Sequence, residues 1–172
     1  MRSITIIGSG AIGSLIGAYM VQSGLDVTLV GQWNSHVEAL KQNGLTVEGS
    51  RGTFSVNPTA LHISELDQLS NPLQTVLVAV KSNQTEEVAH TILPYLAQDA
   101  WVVSVQNGFN EERLSGVIGN KHILGAIITI SAELLIPGKV IEHTGLGQAL
   151  LRKNTALTIG EIDGSISARL SE

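Results

Sequence analysis

The chain has 172 residues, 43% hydrophobic and 15% charged, so it is long and apolar enough to build a core and falls outside the disordered class. Lys and Arg total 10 against 15 Asp and Glu, a formal net charge of −5, and the cations are scattered, which argues against nucleic acid or an anionic membrane as partner. The absence of Cys excludes disulfides, thiolate metal sites and thiol nucleophiles, and no stretch reaches the roughly 20 apolar residues of a membrane span, so a cytoplasmic location is expected.

Residues Ile4–Ile7 (ITII) form a β-branched run stopped by Gly8, the pattern of a strand buried on both faces. Ala11–Gln22 repeats apolar residues at three- and four-residue spacing (Ile12, Leu15, Ile16, Tyr19, Met20) before Gly24, which predicts a helix. Residues 27–30 (VTLV) read as a second strand. Asn34 or Ser35 is then expected to cap a helix carrying Val37 and Leu40 and ending at Asn43-Gly44. Residues 45–48 and 53–56 alternate around a Gly-Ser-Arg-Gly segment and predict a small, peripheral hairpin. Residues 75–80 (TVLVAV) are the most apolar strand, and a helix over about 84–96, capped by Ser82 or Asn83, follows. A strand over 101–105 (WVVSV), a Gln106-Asn107-Gly108 turn, a helix over 111–117 and a strand over 123–130 come next. After Pro137-Gly138, short extended pieces at 140–143, 148–151 and 156–159 are expected as strands at one end of the sheet. The alternation implies an α/β fold: a doubly wound, mostly parallel Rossmann-type sheet with extra short strands at the C-terminal end, residues 1–172 forming one domain.

Gly8, Gly10 and Gly13 stand in G-x-G-x-x-G spacing between the first strand and the first helix, flanking Ala11 and Ile12. Such a turn needs the first glycine for tightness, the second so that backbone can approach a pyrophosphate and the third for close helix-on-strand packing, with the pyrophosphate on the helix N-terminus. The alternative is a glycine turn that serves packing only. A NAD-preferring site carries an acid at the end of the second strand, about 20 residues beyond the fingerprint. Here Gly31 and Gln32 occupy that place, so nothing repels a 2′-phosphate and NADP is favoured, with NAD as the alternative; the usual phosphate-gripping Arg is also missing. Gln32, Asn34, Ser35 and His36 offer donors beside a helix N-terminus and Trp33 offers a cover for adenine, or all belong to an ordinary exposed loop.

Lys81 ends the 75–80 strand, at the edge where an ammonium meets a cofactor phosphate, a substrate carboxylate or a reacting carbonyl. Gln84 can aim its amide at the same crevice, and Asn107 closes the next strand likewise; the plain readings are a solvated Lys and an Asn-Gly turn. The five His residues show no metal-ligand spacing, so no metal is expected, and no Ser-His-Asp order is visible.

GSGAIGS at 8–14, VLVAVKSNQT at 76–85, QNG at 106–108, PGKVIEHTGLG at 137–147 and TIGEIDG at 158–164 together resemble the ketopantoate reductase (2-dehydropantoate 2-reductase) family. The resemblance implies an NADPH-dependent enzyme of pantothenate biosynthesis that reduces a 2-oxo acid to a 2-hydroxy acid. It implies that Gly8, Gly10 and Gly13 hold the pyrophosphate, that Ala11 and Ile12 beside them bind the cofactor, and that Lys81, Gln84 and Asn107 line the nicotinamide and substrate cleft. The family's 2′-phosphate Arg falls on Gln32. Its helical C-terminal domain, with the proton-donating Lys and a substrate-binding Glu, is absent from residues 1–172, so no catalytic residue is assigned and the chain reads as the cofactor half of such a reductase. A non-catalytic dinucleotide-binding module and a related 2-hydroxyacid dehydrogenase are the alternatives. The expected partners are a dinucleotide and a small 2-oxo acid, with a homodimer left open.

Overall fold

The computed structural model describes residues 3–50, 52–143 and 157–171. A seven-stranded sheet runs in the order β5–β2–β1–β6–β7–β8–β11, from β1 (Ile4–Ile7), β2 (Val27–Gly31), β5 (Thr59–His62), β6 (Leu73–Val78), β7 (Leu96–Ser104), β8 (Ile123–Ile128) and β11 (Leu157–Gly160). All its neighbours pair in parallel except the edge strand β11, which is antiparallel to β8. The order reverses at β1, with β2 on one side and β6 on the other. Doubly wound sheets open a crevice at the carboxyl ends of the strands flanking such a reversal.

The apolar runs follow from burial on both faces. Ile6, Leu29, Leu77, Val103 and Leu124 enter one core, while Ile7, Val30, Val76, Val78, Val102 and Ile123 enter the other. α3 (Thr85–Ile92) and α4 (Glu111–Ile118) pack on the second core through Val88, Ile92 and Leu114. α1 (Ala11–Gln22) packs on the first, with Leu15, Ile16 and Ala18 buried.

A second sheet runs β4–β3–β10–β9, from β3 (Leu45–Gly49), β4 (Gly52–Val56), β9 (Ala132–Ile136) and β10 (Lys139–Glu142). It covers α1 from outside, so that helix lies between two sheets and is apolar nearly all round. Tyr19 of α1 meets Phe54 of β4 at a ring-centroid distance of 5.2 Å, and its hydroxyl donates to Glu142 Oε2 of β10 at 2.6 Å.

Several expectations are corrected. The 45–56 hairpin forms but is not peripheral: Leu45, Val47 and Val56 are buried in the first core because α1 needs a second apolar cover. The 140–143 strand belongs to this second sheet, paired in parallel with β3 between residues 93 positions apart that no local pattern connects. Only the last extended piece joins the edge of the main sheet, and the 148–151 piece lies outside the described residues. α2 (Asn34–Asn43) starts with Trp33 at its N-cap and no side-chain cap, where Asn34 or Ser35 was expected to serve. A 3-10 turn at Ser82–Gln84 precedes α3, which has no side-chain cap and ends at Ile92, because Leu93–Tyr95 tightens into a second 3-10 turn at Pro94 and β7 begins at Leu96. β6 stops at Val78, two residues short of the apolar run, since Ala79 and Val80 bend over the glycine turn. β5 and β9 have no counterpart in the sequence expectations.

Candidate functional site

The glycine turn sits at the carboxyl end of β1. Gly8 and Ser9 both donate backbone N–H groups to Val30 O, at 2.8 and 3.1 Å, which folds the chain sharply off the strand. Gly8 has φ +108°, and a Cβ there would lie 2.8 Å from the Ala79 carbonyl carbon. A Cβ on Gly13 would lie 2.0 Å from Gly8 O. A Cβ on Gly10 would meet nothing within 4 Å. Two glycines are therefore required by the protein's own packing, whereas the middle one borders open space at the start of α1. α3 and α4 carry Glu86, Glu87 and Glu111, Glu112 in their first turns, whereas α1 has no acid there to complement its N-terminal dipole.

The crevice above this turn is lined by Gly8, Ser9 and Gly10, by Gly31, Gln32 and Trp33 from the end of β2, by Ala79, Val80, Lys81 and Gln84 after β6, and by Ile63, Val88 and Leu134. Gln84 Nε2 donates to Gln32 Oε1 at 2.9 Å, joining the two sides of the crevice through neutral amides. Lys81 is exposed on its rim. A Cβ at position 31 would lie 2.0 Å from Ser9 Oγ, so a side chain there requires the Ser9 hydroxyl to turn away. Trp33 is 43% exposed, and its ring stacks on the His36 ring at 5.8 Å and 24°. A larger apolar hollow of about 720 Å³, with Ile4, Met20 and Trp101 in its wall, lies toward the opposite ends of the strands.

Sequence and structure differ on several residues here. Gly8, Gly10, Gln32, Lys81 and Gln84 are brought together in the crevice wall; Ala11, Ile12 and Gly13 are not part of that wall, being the first turn of α1. Asn107 lies outside the crevice wall as well, one loop away: its backbone carbonyl accepts from Ser82 Oγ at 3.1 Å and from Asn110 Nδ2 at 3.0 Å. His36 is fully buried and bonded on both ring nitrogens, so it is not the exposed donor its loop position suggests. Leu134, Ile63 and Val88 escaped notice in the sequence, and nothing local marks Leu134, whose strand belongs to the second sheet. The sequence marks Gln106 only as part of a turn, but it is buried: its Nε2 donates to Val80 O and to Thr85 Oγ1, both at 2.9 Å, and so ties the loop after β6 to α3. Among the described residues no group of three or more His, Asp or Glu is placed to hold a metal, and no helix is long and apolar enough to cross a membrane.

The strand order, the reversal at β1 and the glycine turn at that reversal define a Rossmann-type domain. Residues 4–155 match the family model for ketopantoate reductase PanE/ApbA, and the chain belongs to that family. The 2-dehydropantoate 2-reductase of Pyrococcus horikoshii is 35% identical over 151 residues, covering 86% of this chain and 46% of that protein. The crystal structure of 2-dehydropantoate 2-reductase from Geobacter metallireducens superposes with a TM-score of 0.81 at 26% identity, over 98% of this chain and 52% of that one. The ternary structure of D-mandelate dehydrogenase with NADH and anilino(oxo)acetate superposes with a TM-score of 0.75 at 25% identity, over 82% and 45% respectively. The chain thus spans about half the length of the relatives it matches.

Proposed function

We propose that residues 1–172 form one domain, the dinucleotide-binding half of an oxidoreductase that reduces a 2-oxo acid to a 2-hydroxy acid, with 2-dehydropantoate as substrate and NADPH as coenzyme. The observation that carries this reading is the open space at Gly10, in a crevice wall where a Cβ on its motif partners Gly8 or Gly13 would strike neighbouring backbone. The fit to a dinucleotide is chemical as well as steric: the N-terminal amides of α1, free of any acid in the first turn, suit a pyrophosphate. Gln32 and Gln84 meet the adenosine ribose, Trp33 and Leu134 flank the adenine, and Lys81 reaches a phosphate or a substrate carboxylate. Asn107 lines the nicotinamide and substrate side. When bound, the reduced nicotinamide supplies the hydride; this chain orients it, and Lys81 and Asn107 orient the acceptor. The proton donor falls in the half of the family that residues 1–172 do not include, so the isolated chain binds coenzyme without turnover.

The neutral Gln32–Gln84 pair favours a second reading, in which NADH serves and the 2-oxo acid differs, as the likeness to D-mandelate dehydrogenase with NADH supports. Calorimetric titration of the 172-residue chain with NADPH, NADH and ADP-ribose decides between them. Saturable binding of at least one, with no consumption of NADPH in the presence of 2-dehydropantoate, is expected. Absence of binding to all three would overturn the dinucleotide reading, and turnover by the chain alone would overturn the assignment of the proton donor elsewhere.

A further inference from the structure

His36 is not part of the crevice wall, yet it is the only charged or titratable side chain among the described residues of α2 that is buried, with 0% exposure. Its bonds have a direction that the chemistry of imidazole dictates. Gly138 in the β9–β10 turn donates its backbone N–H to His36 Nδ1 at 2.9 Å, so Nδ1 is the unprotonated nitrogen. The proton is therefore on Nε2, which lies 3.1 Å from Ser14 Oγ and donates to it. The Ser14 hydroxyl in turn donates to Ser9 O at 3.0 Å. The chain of donors runs one way, from the second sheet through α2 and α1 into the glycine turn.

The last bond matters most. In a trans peptide the C=O and the following N–H point in opposite directions. Holding Ser9 O toward Ser14, inside the protein, turns the Gly10 N–H the opposite way, in a turn whose residues Gly8, Ser9 and Gly10 line the crevice. We propose that His36, through Ser14, is the positioning residue of the glycine turn: its neutral Nε2–H form presets the Ser9–Gly10 peptide so that the Gly10 amide is aimed at the anionic bridge of a dinucleotide. This rests on the dinucleotide reading above and adds to it the residue that preorganises the anion site and the protonation state it requires.

A second proton on the ring turns Nδ1 into a donor facing the Gly138 N–H, and the contact that seats the ring is lost. Burial already disfavours that proton, holding the His36 pKa below the ordinary 6.5, and no charged neighbour contributes. The ionisable groups on the surrounding elements pair elsewhere: Lys41 with Glu38 and Glu65, Lys139 with Glu48, Glu133 with His143, and Tyr19 with Glu142. The glycine turn itself carries none.

The test is titration of the full 172-residue chain with ADP-ribose, which keeps the pyrophosphate and lacks a 2′-phosphate that would titrate in the same range. Wild-type affinity is expected to be flat above pH 7 and to fall on acidification, by up to about tenfold per pH unit, as one proton must leave His36 on binding. His36→Gln keeps a donor to Ser14 without a titrating ring and should bind with near wild-type affinity and no such step. His36→Phe and Ser14→Ala should each bind at least about tenfold more weakly at all pH values while remaining folded by circular dichroism. A wild-type affinity independent of pH, an acid step that survives in His36→Gln, or full affinity in a folded Ser14→Ala would each overturn the proposal while leaving the dinucleotide reading standing. Failure of the wild type to bind ADP-ribose at any pH would overturn both. If His36→Phe does not fold, His36→Gln and Ser14→Ala carry the test alone.

Discussion

Alanine placed at Gly10 and at Gly13 should act in opposite ways, although the two positions are three residues apart in one motif. At Gly13 the new Cβ lands 2.0 Å from Gly8 O, 3.1 Å from Gly8 C and 3.2 Å from Ala79 Cβ, against 3.4–4 Å for ordinary contact. Relief requires α1 to back away from the end of β1 by more than 1 Å, but the packing of Gly17 against Leu29 and Ile6 one turn later resists the shift. Overpacking of a well-filled interior costs about 1–3 kcal/mol, toward the upper end when backbone must move, and in a domain this size each kcal/mol lowers Tm by roughly 2–4 °C. At Gly10, φ is −74° and the Cβ meets nothing, so Gly10→Ala should leave stability unchanged or raise it by about 0.4–1 kcal/mol through a less flexible unfolded chain. Coenzyme binding should invert the ranking of damage. Gly10→Val, with native circular dichroism, should lose at least about a hundredfold in affinity, or roughly 2.8 kcal/mol, because its side chain fills the space left for the pyrophosphate. Thermal unfolding and calorimetric titration of the three variants decide the matter. Equal Tm for Gly10→Ala and Gly13→Ala would refute the packing argument, and unchanged affinity in Gly10→Val would refute the placement of the ligand.

Gln32→Arg, which adds a cation on the crevice wall, should strengthen NADPH binding by about 1.5–3 kcal/mol at low salt with little effect on NADH, and added salt should erode the gain; titrations with both coenzymes show whether the gain is selective. Burial lowers the His36 pKa, so the unfolded chain binds more protons than the folded one below 6.5, and stability present above that pH should decline as pH falls toward the folded-state value; urea unfolding between pH 5 and 8 of wild type and His36→Gln isolates the contribution. Arg169 binds Glu161 through a guanidinium contact at 2.6 Å and donates to Lys121 O at 2.7 Å, tying the C-terminal turn to the start of β8, so Arg169→Ala should cost about 1–3 kcal/mol and raise hydrogen exchange in β11, with no effect on coenzyme affinity. Arg169 holds the Glu161 carboxyl below its ordinary value, so that contribution is present at neutral pH and lost on acidification; an Arg169→Ala chain as stable as wild type at pH 7 would remove this anchor.

The parts of this molecule that a short stretch of chain can specify were legible in the residues themselves. ITII, the three glycines and the apolar periodicity of 11–22 each encode strand, turn and helix within a few residues, and the structure reproduces Ile4–Ile7 and Ala11–Gln22 to the residue. Runs buried on both faces carry no alternation, and that pattern, repeated with helices between, is what a parallel doubly wound sheet requires. Lys81 and Gln84 were placed at the crevice by the rule that such sheets open their crevice beyond the carboxyl ends of the strands, a rule that put Asn107 there too although it lies one loop away. The second sheet could not be read this way. β3 and β10 pair in parallel although Val47 and Val140 lie 93 positions apart in the chain, and the need of α1 for apolar cover on its outer side brings them together. The same distance hid Leu134 in the crevice wall and made His36 look like a loop donor, because its partners Ser14 and Gly138 are 22 and 102 residues away. Local periodicity sets which segments are strands and helices, but which polar groups end up buried together depends on how those segments pack, and only the packed fold decides that.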